Sequence, residues 1–113
     1  MISMFGIPNC DTVKKARTFL EKNKVAYEFI DFKKIPPTVE QIKQWSDFAG
    51  ELPVNKRGTT YRKHKDAYEA LSLEEKVAFI IANVSLIKRP VLEENGKVVA
   101  LGFDEEHYQE LIG

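Results

Sequence analysis

The sequence predicts an α/β fold in which a four-stranded mixed sheet is flanked by helices. Two patterns support this prediction. The first is a compact strand–helix–strand unit within about the first 32 residues. The second is a pair of apolar runs around Asn95-Gly96, followed by an amphipathic segment at the carboxyl end. Residues 38–84, which lie between these two parts, are expected to form a mostly helical insert.

The amino-terminal strand–helix–strand unit is predicted from the spacing of its apolar residues. Ile2, Met4 and Phe5 form a short apolar run that indicates a strand. Helical spacing then predicts a helix over about residues 11–23, and the aromatic and β-branched residues of 25–32 favour a second strand. Two strands joined by a helix in this way are parallel. The inward face of the helix would consist of Val13, Ala16, Phe19 and Leu20.

Two capping boxes mark the starts of helices in the insert. Thr38 and Gln41 form the first box, and Ser72 and Glu75 form the second. The first box predicts a helix that begins at residue 39 and ends at Gly50, and the second predicts a helix that extends to about residue 84. The inward face of the first of these helices would consist of Val39, Ile42, Trp45 and Ala49.

Residues 52–60 have no clear periodicity and predict a loop. Thr59 or Thr60 could cap a short turn of helix over residues 61–63. Further along the chain, Asn95-Gly96 between two apolar runs is a strong signal for a β-hairpin. The terminal helix is expected to begin after a cap at Asp104, with Tyr108, Leu111 and Ile112 on its packed face.

The complete order of elements is β-α-β, helical insert, β-β-α. This order is typical of the thioredoxin-like fold, in which the first strand-to-helix turn contains the reactive cysteine. At 113 residues, the chain is expected to form a single domain over residues 1–113.

Charge and composition narrow the range of partners and locations. The chain has 17 basic and 17 acidic residues, without a block of like charge at either end, so we expect no nucleic-acid or membrane partner. No apolar run approaches the length of a membrane span, and the amino terminus lacks a secretory signal, which favours a cytoplasmic location. One cysteine and two separated histidines exclude an internal disulfide and predict no metal site.

Cys10 is the only cysteine and lies where the first helix should begin. Unpaired backbone N–H groups and the helix dipole favour a thiolate at such a position. Lys14, Lys15 and Arg17 would add positive charge within the first two turns. The alternative is a buried cysteine that acts only as a small hydrophobic residue, and position alone leaves both interpretations open.

Three motifs occur in a characteristic order: residues 5–12 (Phe-Gly-Ile-Pro-Asn-Cys-Asp-Thr), residues 55–60 (Asn-Lys-Arg-Gly-Thr-Thr) and residues 87–90 (Ile-Lys-Arg-Pro). Together they resemble the glutaredoxin-type arsenate reductase (ArsC) family, and in particular its short reductase-like branch, which is related to the Spx regulators. The resemblance extends over residues 1–112.

The resemblance implies roles for individual residues. Cys10 matches the nucleophile of the family, and Arg57 and Arg89 match two of the three arginines that surround its oxyanion. Without the resemblance, Arg57 would be interpreted as a solvated loop cation and Arg89 as a member of a surface ion pair. Pro90 matches a proline that is cis in the family. The expected substrate-binding residues are Asn9, Asp11, Thr12 and Pro90.

The chain departs from its relatives in two places. The third arginine should follow the last hairpin strand, but this stretch is Leu101-Gly102-Phe103, so direct oxyanion chemistry is in doubt. The Cys-x-x-Cys redox switch of Spx would need a second cysteine at position 13, which is Val13. An intramolecular disulfide is therefore impossible.

These observations lead to an expected function and two alternatives. We expect a glutathione-dependent thiol oxidoreductase, in which Cys10 forms a mixed disulfide with glutathione. The partner would be glutathione, as co-substrate, or a small thiol or disulfide substrate. Glutaredoxin is a further candidate partner, and no cofactor would be bound. The alternatives are an arsenate reductase proper, and an Spx-like regulator that binds RNA polymerase without turnover.

Overall fold

A computed structural model describes residues 1–113 and contains four strands and five α-helices. A short 3-10 turn, Val84–Leu86, lies between the fourth helix and the third strand. In chain order the elements are β1 (Ile2–Gly6), α1 (Asp11–Lys22), β2 (Tyr27–Asp31), α2 (Val39–Ala49), α3 (Thr59–Glu69), α4 (Leu73–Ala82), β3 (Val91–Glu94), β4 (Lys97–Leu101) and α5 (Glu105–Ile112).

The four strands form one mixed sheet with the order β2-β1-β3-β4. β1 is parallel to β2 and antiparallel to β3, and β3 is antiparallel to β4. The predicted α/β class and thioredoxin-like fold are confirmed. The chain divides into two compact units, residues 1–35 with 89–113 and residues 36–88. The first unit contains the sheet with α1 and α5, the second is the helical insert, and the single-domain organisation stays a prediction.

The core of the first unit lies between one face of the sheet and the two helices α1 and α5. It is built from residues that alternate along the strands and recur every three or four positions along the helices. The close approach of α1 to the sheet depends on Gly6, because a Cβ atom there would lie 3.0 Å from Val13 Cγ2. The buried residues are Ile2, Met4, Val13, Ala16, Phe19, Leu20, Leu92, Ala100 and Tyr108.

The turns of the first unit follow the predicted chemistry. Asn95 and Gly96 have φ angles of 53° and 83°, and they connect β3 to β4 as the Asn-Gly signal indicates. Asp104 caps α5, and its Oδ1 accepts hydrogen bonds from the N–H groups of Glu106 and His107. Both predictions are confirmed.

The second unit confirms both capping boxes and corrects one helix face. Thr38 and Gln41 exchange hydrogen bonds at the start of α2, as do Ser72 and Glu75 at the start of α4. Gly50 ends α2 in the left-handed conformation, with φ of 78°. The predicted inward face of α2 is only half correct. Ile42 and Trp45 are buried, but Val39 and Ala49, the first and last residues of the helix, are exposed.

The prediction of a short turn over residues 61–63 is wrong, because α3 has eleven residues and Gly58 is its N-cap. Its sequence lacks a continuous apolar stripe, and packing within the insert stabilises it instead. Tyr61 and Tyr68 are buried, and the rings of Tyr68 and Phe79 of α4 lie 6.0 Å apart. No helix of the structure combines the length and apolar character needed to cross a membrane.

Candidate active site

The turn between β1 and α1 positions Cys10. Ile7 is buried and anchors the turn, whereas Pro8 and Asn9 are exposed. Cys10 itself is partly exposed and is the N-cap of α1, with extended backbone angles of φ −136° and ψ 126°. Its carbonyl oxygen accepts a hydrogen bond of 2.9 Å from the Lys14 N–H. The thiol therefore lies at the end of a helix where unpaired N–H groups face outward.

The surroundings of Cys10 favour its thiolate. Burial raises the pKa of the thiol, but the N–H of Val13, the charge and hydrogen bond of Arg89, and the N–H of Thr12 together lower the pKa below its ordinary value. The neutral side chain makes no capping hydrogen bond, so these N–H groups act on the charged form. The predicted depression of the Cys10 pKa is confirmed in direction.

The source of the positive charge differs from the sequence-based expectation. Lys14, Lys15 and Arg17 were expected to stabilise the thiolate, but none of them is among the groups that lower its pKa. Arg17 points instead to β2, where its Nε donates to Tyr27 Oη at 3.1 Å and its guanidinium lies 4.3 Å from the centre of the Phe29 ring. Arg89, which is remote in sequence, is the cation beside the sulfur.

Arg89 and Pro90 are held at the start of β3. The bond between them is cis, as the resemblance implied, and Pro90 is buried. The Pro90 carbonyl accepts a hydrogen bond of 2.9 Å from the Gly102 N–H. The hydroxyl of Tyr108 donates to the Gly102 carbonyl at 3.1 Å. Both backbone groups of Gly102 are thus engaged, one with the proline that follows Arg89 and the other with α5.

Tyr108 is a residue whose role the sequence reasoning missed. The helical spacing of α5 predicted only that Tyr108 packs, and its ring is indeed 1% exposed. A buried tyrosine hydroxyl normally requires a hydrogen-bond partner, and this general rule is the signal that could have pointed to a fixed backbone nearby.

A model of the ArsC family matches residues 5–111 of the chain. The chain belongs to the ArsC family. An uncharacterized protein of Haemophilus influenzae is 33% identical over 111 residues, with 96% of each chain covered. The global transcriptional regulator Spx of Staphylococcus aureus is 25% identical and covers 99% of this chain and 87% of Spx.

Solved structures agree with the family assignment. A protein named YffB is 36% identical, covers 100% of both chains and has a TM-score of 0.86. A possible arsenate reductase from Streptococcus mutans is 32% identical, covers 100% of this chain and 98% of its own, and has a TM-score of 0.80. The relatives of this ArsC-family chain thus include possible arsenate reductases and Spx regulators.

The place of the third arginine expected from the ArsC resemblance is occupied by Gly102, which has a φ of 80°. This left-handed conformation favours glycine and disfavours any residue with a Cβ atom. The absence of an arginine is therefore built into the backbone at the end of β4.

The remaining predicted residues lie in two places. Asn9, Asp11 and Thr12 are exposed around Cys10, and Thr12 contributes its N–H to the sulfur. Arg57 belongs to the insert, where it is exposed in a loop and its N–H donates to Asn55 Oδ1 at 3.2 Å. The Asn55 N–H in turn donates to the Leu86 carbonyl at 2.8 Å, which fixes the loop within the insert. The substrate-binding and catalytic roles of these residues stay predictions.

Proposed function

We propose that this ArsC-family protein is a glutathione-dependent thiol oxidoreductase with Cys10 as its single nucleophile. The observation that supports this proposal most directly is the partly exposed thiol at the start of α1, whose pKa is lowered by two backbone N–H groups and by Arg89. A thiolate is the form of cysteine that attacks disulfides.

The reaction needs two exchanges. The Cys10 thiolate attacks the glutathione sulfur of a mixed disulfide, so that a Cys10–glutathione disulfide forms and the substrate leaves as a thiolate that takes up a proton. A second glutathione, as its thiolate, then attacks the glutathione sulfur on Cys10. This step releases glutathione disulfide and restores the Cys10 thiolate. Each turnover consumes one free glutathione: the substrate sulfur is reduced to a thiol, and the incoming glutathione sulfur is oxidised as it joins the transferred glutathione in glutathione disulfide.

Val13 explains why an external thiol is needed. It stands three residues after Cys10, where a Cys-x-x-Cys site would have its second cysteine, and its side chain is fully buried. Because the chain has no other cysteine, the mixed disulfide on Cys10 can be resolved only by another molecule. Glutathione is the simplest candidate, and glutaredoxin is the second.

In this proposal the two arginines have different tasks. Arg89 stabilises the thiolate as the attacking and leaving group, while both Arg89 and Arg57 bind carboxylates of glutathione through charge-assisted hydrogen bonds. Arsenate reduction is disfavoured, since Gly102 leaves the site without a third guanidinium. The loss of one such contact costs on the order of 1.5 to 3 kcal/mol, or roughly ten- to a hundredfold in rate.

The test begins with the intact mass of the protein after incubation with glutathione disulfide. The wild type should gain one glutathione, and Cys10→Ser should gain none. Turnover is then measured with the mixed disulfide of glutathione and cysteamine, with glutathione alone or with glutaredoxin as the reductant. An adduct without turnover under either condition would contradict the enzymatic proposal, although the nucleophile would be correct.

The similarity to Spx over 99% of the chain supports a second candidate, a regulator that binds RNA polymerase without turnover. A pull-down of RNA polymerase by wild type and Cys10→Ser separates the two functions. Equal capture by both proteins, with no disulfide exchange, would favour the regulator.

A further inference from the structure

A shallow, open groove of about 410 Å³ in the first unit has no part in the function proposed above. It runs beside α1 and is bounded on the other side by the segment that leads into α5. We call it the lysine groove and define it by its lining residues, Lys14, Lys15, Thr18, Phe19, Lys22, Phe103 and Glu105.

The lysine groove follows a ridge of α1, the helix whose N-cap is Cys10. Residues four positions apart form a continuous ridge on a helix, and Lys14, Thr18 and Lys22 have this spacing. All three line the groove. With a rise of about 1.5 Å per residue, Lys22 lies about 18 Å from Cys10 along the axis. An extended peptide covers this distance with five or six residues, at about 3.3 Å for each residue.

The charge of the lysine groove differs from that of the whole chain. Three lysines and one glutamate line it, whereas the protein as a whole has 17 basic and 17 acidic residues. Lys14, Lys15 and Lys22 are exposed. Such a local excess attracts acidic ligands and repels basic ones.

One wall of the lysine groove is aromatic and fixed by packing. The ring of Phe103 lies 5.9 Å from that of Phe19 and 4.8 Å from that of Tyr108, and Tyr108 is buried. A preformed apolar wall beside a row of cations can hold the side chains of a peptide without ordering a loop, which lowers the cost of binding.

We propose that the lysine groove binds an extended acidic segment of a protein substrate, whose cysteine is joined to glutathione and presented to Cys10. This inference rests on the proposed function and names its substrate class as an acidic glutathionylated protein. The Cys10 thiolate attacks the glutathione sulfur, and the thiolate that leaves belongs to the segment held in the groove. Glutathione alone is too short to reach Lys22, so this lysine serves only the longer substrate.

The first test measures binding without any reaction. The probe is a fluorescein-labelled peptide of about ten residues with one cysteine flanked by aspartate and glutamate, and its twin has lysine in place of every acidic residue. Fluorescence anisotropy with Cys10→Ser at low ionic strength should show that the acidic peptide binds more tightly than the basic twin. Equal binding of the two peptides would overturn the proposal. This readout holds even if the protein has no turnover.

The second test uses charge reversal at the far end of the groove. Lys22→Glu should lower kcat/KM for the glutathionylated acidic peptide about three- to tenfold. The kcat/KM for the glutathione–cysteamine disulfide should stay unchanged. Lys97→Glu is the matched control. Lys97 is exposed and begins β4, two residues after Asn95. The Oδ1 atom of Asn95 accepts a hydrogen bond from the amino group of Met1. Lys97 therefore lies at the end of the sheet opposite Cys10.

The outcomes separate the two proposals. Equal losses of kcat/KM for the acidic peptide in Lys22→Glu and Lys97→Glu would show a general charge effect and overturn the groove proposal. If Lys22→Glu also lost activity with the glutathione–cysteamine disulfide, Lys22 would be acting on the Cys10 site directly. This outcome would also overturn the groove proposal. A third outcome is possible: the wild type exchanges neither disulfide, but adding Lys22→Glu to Cys10→Ser weakens binding of the acidic peptide. In that case the groove proposal holds and the oxidoreductase proposal fails.

Discussion

Replacing Arg89 by glutamine removes the cation beside Cys10 and leaves a polar side chain at its position. Arg89 stabilises the Cys10 thiolate through its charge and a hydrogen bond, and it opposes the burial that favours the neutral thiol. Glutamine keeps a polar side chain but is two atoms shorter than arginine, so it removes both the charge and the hydrogen bond to the sulfur. The pKa of Cys10 should therefore rise in Arg89→Gln.

The size of the effect can be worked out from the surroundings of the sulfur. A hydrogen bond to a charged group contributes about 1.5 to 3 kcal/mol, and solvent at the partly exposed thiol reduces this to about 1 kcal/mol. At a pH well below the midpoint, the thiolate population then falls about fivefold. A more basic thiolate is also a better nucleophile, with a Brønsted coefficient of about 0.45, so the measured rate falls only about two- to threefold. Well above the midpoint the variant should react about twice as fast.

The assay is the rate of iodoacetamide alkylation against pH, and the curves of wild type and Arg89→Gln should cross. Partial unfolding would also move the Cys10 pKa towards the unfolded value of about 8.5, so urea titrations of both proteins must show that Arg89→Gln is folded over the pH range of the assay. Lys14→Gln is the matched control. The sequence pointed to Lys14 as a cation that stabilises the thiolate, but Lys14 is not among the groups that lower the Cys10 pKa. An unchanged midpoint in Arg89→Gln, or an equal shift in Lys14→Gln, would refute this account of the site.

Four further predictions follow from the same contacts. The free energy of unfolding of the wild type should rise with pH between the folded-state pKa of Cys10 and its unfolded value of about 8.5. A lowered pKa stabilises the fold above this range, and the gain is lost as pH falls. Urea titrations of wild type and Cys10→Ser would show this slope only in the wild type. Tyr108→Phe should lose about 1 to 3 kcal/mol in the same titrations, because the Gly102 carbonyl loses its hydrogen bond. Gly102→Arg should lose about 1 to 2 kcal/mol, since φ is 80°, and its kcat/KM for arsenate should stay below ~10⁴ M⁻¹s⁻¹, the low end of ordinary enzymes. Arg57→Ala should weaken exchange with glutathione by about tenfold in kcat/KM and leave the alkylation midpoint of Cys10 unchanged.

The parts of the fold that were predictable from the sequence have strong local signals. The two capping boxes, Asn95-Gly96 and the Asp104 cap each involve backbone groups within three residues of the signal, so the sequence alone specifies them. Cys10 at the start of α1 was predictable for the same reason, because a helix N-terminus is a local feature. The cis bond before Pro90 was foreseen only through the family resemblance.

Two of the errors concern effects that arise between distant residues. α3 is stabilised by packing of Tyr61 and Tyr68, which a search for a regular apolar stripe does not detect. The lysines near Cys10 in sequence were expected to act on the thiolate, but their side chains extend from the helix surface, and strand pairing brings Arg89 to the sulfur instead. Proximity in the sequence was a poor guide to electrostatics, because the field at an atom depends on the direction of each side chain.

The two departures from the family pattern act together on the chemistry of the site. Gly102 is fixed by its φ angle and by hydrogen bonds at both backbone groups, and Val13 is fixed by complete burial against Gly6. Neither position can gain an arginine or expose a thiol without disturbing the structure around it. A site without the third guanidinium binds an oxyanion less well, and a site without a second thiol cannot resolve its own disulfide. Neither departure affects the thiolate at Cys10 or the cation at Arg89. Disulfide exchange with an external thiol requires these two groups.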